Sequence, residues 1–341
     1  MENSKLISLT KGISDSLILD VENKIAYIQD SNISIRFPLN AEGEMNQRFL
    51  VLSRSELLHM AKFEKEIEVK PNFSYTGKLL HGKLTIPSDE TDYSYLPEMF
   101  SSDEETKCFD ISIADLDLIK NASVFTNPVD QKLTCQCVNI HESITSANSF
   151  GRTYYSANNL EGVSILLSQV AIKALLLLGQ GTTVCDYSSS ILMTKDKVAI
   201  SLQKIDSAFL PISESLIPRI NEIFDSNKIA LNRSEFLDAC MAMSLYAKKN
   251  QNNRIHLSVS EGVLTLTVDE TNVNLNILPD SKIDSETMID FDFNLEFLTQ
   301  AISTVFKSET EVLYLYEKND YKIYCLSPKD GEVISLGKLV S

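Results

Sequence analysis

Cys135 and Cys137 form the most chemistry-like spacing in this sequence. A C-x-C can belong to a metal site or a redox pair. A tetrahedral site needs further ligands, and no second C-x-C or nearby His supplies them. The competing reading is two small apolar residues on one face of a strand, because positions i and i+2 share a face. The other cysteines, at 108, 185, 240 and 325, are scattered, and a disulfide framework is not expected in a chain of 341 residues. His59, His81, His141 and His256 form neither an H-x-x-x-H nor an H-E-x-x-H pattern. Glu104 and Glu105 lie in a Ser/Asp/Glu-rich joint and read as solvated linker, not as an acid pair. Gly179 and Gly181 follow a helical pattern instead of opening one, so a helix stop fits them better than a phosphate loop. No G-x-S-x-G elbow is present. Neither catalysis nor a cofactor or metal is expected.

The elements along the chain recur instead. An apolar strand closed by a helix-capping residue occurs at 49–53, 163–168 and 291–294, ending on Ser53, Ser168 and Asn294. A hairpin tip followed by apolar alternation occurs at 22–30, 141–149 and 261–269. Aligning Ile25, Ile144 and Leu264 spaces these by 119 and 120 residues. A Leu-Pro landmark at Pro97 returns at Pro211, 114 residues later. Such a period is too long for a solenoid repeat and predicts three homologous α+β domains, near 1–104, 105–226 and 227–341. Helices are predicted at 53–65, 114–125, 168–178, 232–250 and 294–307.

This order resembles the bacterial DNA sliding clamp, the β subunit of DNA polymerase III. That family builds each domain from two βαβββ units. The stretch 110–120 resembles the start of its second domain, and Ala147 to Thr153 stands in the place of the family's A-T-D-G-H-R-L, keeping Ala147 and Arg152. The family's M-P-M-R-L appears as 336–340, with Gly337 where it has Pro. The offset leaves no room at the N-terminus for the first domain's first helix, so most of that helix is expected to be missing. The resemblance implies a non-catalytic homodimeric ring that encircles duplex DNA. It also implies a cleft between the second and third domains that takes a short, partly apolar peptide from the polymerase and the clamp loader. The matching positions are Thr153, Leu166, Ile172, Pro211, Leu216, Ile334 and Leu336. Deleting 334–341 is expected to abolish peptide binding. A diverged paralogue that no longer encircles DNA, or a triplicated scaffold, fits the same repeat.

The formal charge of −16, from 31 Lys and Arg against 47 Asp and Glu, argues against DNA binding by the general surface. A ring holds DNA by topology and needs only a mildly positive hole. The five predicted helices together carry +2, which leaves −18 for the rest of the chain. Few charges of either sign on core-packed helices would give a similar number. Candidate DNA contacts are Arg152, Lys173, Lys132 and the cluster Lys248, Lys249 and Arg254 at the end of the fourth predicted helix. No stretch approaches the ~18–20 apolar residues of a membrane span. The start of the chain lacks a basic segment followed by a long apolar one, so a cytoplasmic protein is expected.

Overall fold

The computed structural model describes residues 16–20, 22–29, 32–38, 49–53, 74–75, 84–85, 93–101, 107–141, 143–149, 152–157, 160, 163–210, 227–249, 253–283, 289–305, 311–317, 322–327 and 332–337. Residues 54–65 of the predicted helix at 53–65, the missing helix at the N-terminus, Glu104, Glu105, Pro211 and Leu216 lie outside these residues, and Ser53 ends a strand. The chain divides into two compact units, one from 1–116 with 170–206 and one from 117–169 with 207–341.

The first unit holds an eight-stranded antiparallel sheet. A three-strand meander, β1 (Ser16–Asp20), β2 (Ile25–Gln29) and β3 (Ile33–Pro38), is flanked on the β1 side by β4 (Phe49–Ser53). A second meander, β12 (Thr183–Asp186), β13 (Ser190–Lys195) and β14 (Val198–Gln203), is flanked on the β12 side by β7 (Lys107–Asp110). The halves join where β3 pairs with β14. β5 (Ser74–Tyr75) and β6 (Leu84–Thr85) form a separate short pair. The Leu-Pro landmark at 96–97 starts a 3-10 turn, Leu96–Phe100. Its Leu96 and Phe100 are buried in a cluster with Ile18, Tyr27, Phe49 and Leu192.

The second unit repeats the arrangement. Its eight-stranded sheet joins the meander β8 (Val138–Ile140), β9 (Ile144–Ala147), β10 (Thr153–Ser156) to the meander β20 (Val312–Glu317), β21 (Lys322–Ser327), β22 (Glu332–Gly337). β11 (Ile165–Leu167) flanks β8, β15 (Asn227–Asn232) flanks β20, and β10 pairs with β22 at the join. A four-stranded sheet consists of β16 (Arg254–Ser260), β17 (Val263–Val268) and β18 (Thr271–Asn276), with β19 (Ile289–Asn294) against β16. The three hairpin matches in the sequence are the middle strands β2, β9 and β17. The three strand-to-helix matches are β4, β11 and β19, each paired with the first strand of a meander.

Four α-helices lie among the described residues: α1 (Ile113–Ser123), α2 (Gln169–Leu178), α3 (Arg233–Lys249) and α4 (Leu295–Val305). Local chemistry starts each of three of them. Ser112 and Asp115 cap α1 reciprocally, since the Asp115 amide donates to Ser112 Oγ (3.2 Å) and the Ser112 amide to Asp115 Oδ2 (2.9 Å). Asn232 Oδ1 accepts the Glu235 amide (3.1 Å) and Asn294 Oδ1 the Phe297 amide (3.1 Å). Gly179 and Gly181, both at φ +77, end α2 in the left-handed region, where a Cβ would strain the backbone. Lys195 Nζ donates to the carbonyls of Leu178 (2.8 Å) and Gln180 (2.6 Å) at that end.

Two expectations about cysteine need correction. Cys108 and Cys185 are direct cross-strand partners in β7 and β12 and form a disulfide. Pairing register, which sequence spacing does not reveal, brings them together. Cys135 and Cys137 are free and buried, but they lie in and just after a 3-10 turn, Leu133–Gln136, instead of sharing a strand face. Burial pushes the Cys137 thiol up to about 11, as expected for an inert apolar side chain.

Candidate functional site

The seam between β10 and β22 is where the expected partner cleft and the described structure meet. The register pairs Thr153 with Ser335, Tyr154 with Ile334, Tyr155 with Val333 and Ser156 with Glu332. Strand alternation therefore splits the seam into two faces. Tyr154, Ser156, Glu332, Ile334 and Leu336 are buried on the inner face. There the Tyr154 ring packs on Phe125 of the segment after α1, with centroids 5.8 Å apart. Glu332 Oε1 accepts the Tyr154 hydroxyl (2.5 Å) and Asn121 Nδ2 (2.9 Å), and the same Asn121 nitrogen reaches the Val305 carbonyl of α4 (3.4 Å). Burial, and then the Glu332 charge, hold the Tyr154 phenol far above its ordinary range, so it stays a donor.

The outer face carries Thr153, Tyr155 and Val333. Its cross-strand row runs Leu166, Asn139, Thr145, Tyr155, Val333. Of the seven positions expected to line the cleft, Thr153 and Leu166 thus share the outer face, while Ile334 and Leu336 belong to the inner one. Ile172 is a buried residue of α2 in the first unit.

Arg152 stands one residue before β10, at the end of the seam. Its guanidinium carbon lies 3.8 Å from the centroid of the Phe297 ring of α4. The side chain is half-buried, and its Nε is buried without a hydrogen-bond partner among the described residues. Burial draws its pKa down, and the charge of Glu296 opposes that. A stacked, desolvated guanidinium with a spare donor suits an incoming carbonyl or carboxylate oxygen.

The turn that presents Arg152 is built by polar groups. Asn148 donates its amide to the Arg152 carbonyl (3.0 Å) and its Nδ2 to the Phe125 carbonyl (3.0 Å). Asp130 accepts the Ser149 amide (2.9 Å), the Ser149 hydroxyl (2.6 Å) and the Lys132 amide (3.1 Å). The Ser149 hydroxyl, then the two amides, hold the Asp130 carboxyl below its usual range. Sequence reasoning missed Asp130, Phe297 and Glu332. Asn127-Pro128 followed by Asp130 is readable turn chemistry, but nothing in the sequence marks Glu332 as buried.

The expected DNA contacts stand on separate elements. Lys173 is exposed on α2, and Lys132 is exposed beside the 3-10 turn. Lys248 and Lys249 end α3, with side chains outside the described residues. Arg254 begins β16 instead of ending the helix, and it is ion-paired with Asp292. Among the described side chains, the exposed charges on the helices are Lys120 and Lys173 against Glu235, Asp238 and Glu296.

A third surface was not foreseen. α3 buries Phe236, Ala239, Cys240, Met243 and Ala247, and it packs on β17, β18 and α4. Its other side exposes Met241 (53%), Leu245 (69%) and Tyr246 (45%). β18, under the same helix, is an edge of the four-stranded sheet with exposed Asn272, Asn274 and Asn276.

No group of three or more His, Cys, Asp or Glu that could hold a metal occurs among the described residues. No helix among them is long and apolar enough to cross a membrane. No protein-family model matches the sequence, and neither does any curated protein. Solved structures do match. A DNA polymerase III β subunit from Eubacterium rectale is 14% identical, with a TM-score of 0.75 over 100% of this chain and 98% of that one. The Helicobacter pylori β clamp bound to a DNA ligase peptide is 13% identical, with a TM-score of 0.75 over 100% and 97%. A sliding clamp from Bartonella birtlesii bound to griselimycin is 12% identical, with a TM-score of 0.74 over 100% and 99%. The chain has the fold of these sliding clamps.

Proposed function

We propose that this chain, built on the sliding-clamp fold, is a non-catalytic processivity subunit. It has three domains, 1–104, 105–226 and 227–341, and closes as a head-to-tail homodimer around duplex DNA. One observation carries the reading: clamp structures superpose over essentially the full length of both chains. The repeated exchange, in which a strand before a helix pairs with the first strand of a meander, agrees with tripled domains. An intracellular ring of this kind needs neither a cofactor nor a membrane. The test is retention on nicked circular DNA after loading. A clamp is retained on the circle and released on linearisation. The scarcity of exposed cations among the described helix side chains favours a second reading, a clamp paralogue that binds proteins without encircling DNA. Equal behaviour on circular and linear DNA would establish it.

The partner site in this reading is the seam end at Arg152, Phe297 and Thr153, which receives a peptide from a polymerase or a clamp loader. The H. pylori clamp bound to a DNA ligase peptide supports peptide capture by this fold. Deleting 334–341 is not a clean probe of the site, because Ile334 and Leu336 are core residues. Arg152→Ala is a sharper one. It should weaken a labelled partner peptide by about tenfold, the cost of one charge-assisted hydrogen bond, and leave retention on DNA unchanged. Loss of DNA retention with full peptide affinity would make Arg152 a DNA contact instead.

A further inference from the structure

Asn139 lies in the middle of β8, between the buried Val138 and Ile140. A buried amide needs partners on both ends, and Asn139 finds them in two places. Its Nδ2 donates to the carbonyls of Thr134 (3.1 Å) and Cys137 (3.2 Å). Its Oδ1 accepts the backbone amide of Leu210 (3.1 Å), 71 residues away in sequence. Two residues on, His141 reaches the same segment from the surface. Its ring stacks on Phe209, with centroids 4.8 Å apart and planes 11° apart, and its Nδ1 lies 2.7 Å from Ser164 Oγ.

Phe209 and Leu210 are thus held to the sheet at two points, one polar and internal, one aromatic and at the surface. Directly across from Asn139, on the same face of the sheet, is the buried Leu166 of β11. Leu210 immediately precedes Pro211 in the sequence. Leu166 and Pro211 are both positions the clamp resemblance assigns to the partner cleft, although Asn139, His141 and Phe209 are not.

We propose that Asn139 and His141 are positioning residues for that cleft: they hold the strap at Phe209 and Leu210 against the β8 end of the sheet, so the cleft wall is in place before a peptide arrives. This rests on the clamp reading of the cleft. A strap that is not held must be ordered on binding, and that ordering is subtracted from affinity.

The test uses the full chain and a short fluorescein-labelled peptide with two adjacent leucines. Hydrogen exchange at the Leu210 amide is read in parallel. His141→Ala removes an exposed side chain and should keep the wild-type melting temperature. It should speed exchange at Leu210 and weaken the peptide about five- to tenfold. His141→Phe, which keeps a stacked ring, should restore both. Asn139→Ala should speed Leu210 exchange further. Unchanged exchange at Leu210 in both alanine variants, or faster exchange with unchanged affinity, overturns the positioning role alone. A wild-type chain that binds no such peptide while Leu210 stays protected overturns the cleft reading, and this proposal with it.

Discussion

On the proposed ring reading, replacing Met241 and Leu245 together with Glu should prevent the proposed homodimer from forming at micromolar concentration and abolish retention on nicked circular DNA. Both side chains are more than half exposed on α3, four residues apart and so on one side of the helix. The helix covers β18, whose outer edge has no partner strand among the described residues. An open edge beside an apolar patch is a surface that a second chain can complete, and a closed ring removes such edges. Apolar anchors at the centre of an interface contribute on the order of 2 kcal/mol each. Two buried carboxylates in their place should weaken self-association by at least about 100-fold. Folding should survive, because Phe236, Cys240 and Met243 on the opposite side build the core. Sedimentation in which the variant associates as the wild type does would remove α3 from the proposed interface. A monomer that is nonetheless retained on circular DNA would disprove ring closure as the means of retention.

Glu332→Ala should produce the largest loss of stability among single substitutions at the seam. Glu332 is a fully buried carboxylate that joins α1, through Asn121, to β10, through Tyr154. Its removal leaves the Tyr154 hydroxyl without this acceptor in the core, and Asn121 loses its shorter contact while keeping the longer one to Val305. A stranded buried donor costs about 1–3 kcal/mol, and the vacated volume adds to that. A loss of about 3–4 kcal/mol is expected, read as an earlier urea midpoint for the transition of the unit that holds the seam. With two compact units, a single unfolding free energy for the whole chain is not defined. Glu332→Gln keeps one acceptor oxygen and should cost less. A Glu332→Ala protein that unfolds with the wild type would show that the inner-face network does not hold the seam.

Much of the fold was legible in the sequence because its signals are local. Asn294 ahead of an apolar 3.6-residue period marks α4, and the glycines at 179 and 181 mark the end of α2. The hairpins around Ile25, Ile144 and Leu264 stand in the middle strand of three meanders, so their spacing of 119 and 120 residues reported real equivalence of place. The Cys-x-Cys misled because a two-residue spacing suggests a strand, whereas the chain there closes a 3-10 turn. The cations misled because type was visible and environment was not. Arg152 was a candidate DNA contact and is stacked on Phe297, 145 positions away; Arg254 was another and is paired with Asp292.

The sequence by itself determined what depends on neighbours along the chain: strand and helix periods, caps, turns, the repeat, and the absence of recognisable catalytic spacings. Only the tertiary structure decided which residues share a sheet face, because a face is set by pairing register and a one-residue difference reverses it. That register put Thr153 and Leu166 on one side of the seam and Ile334 and Leu336 on the other. It also brought Cys108 against Cys185 and turned Glu332 into the buried centre of a hydrogen-bonded network. The Cys108–Cys185 and Asn121–Glu332 contacts span 77 and 211 residues of sequence, and no local pattern encodes them.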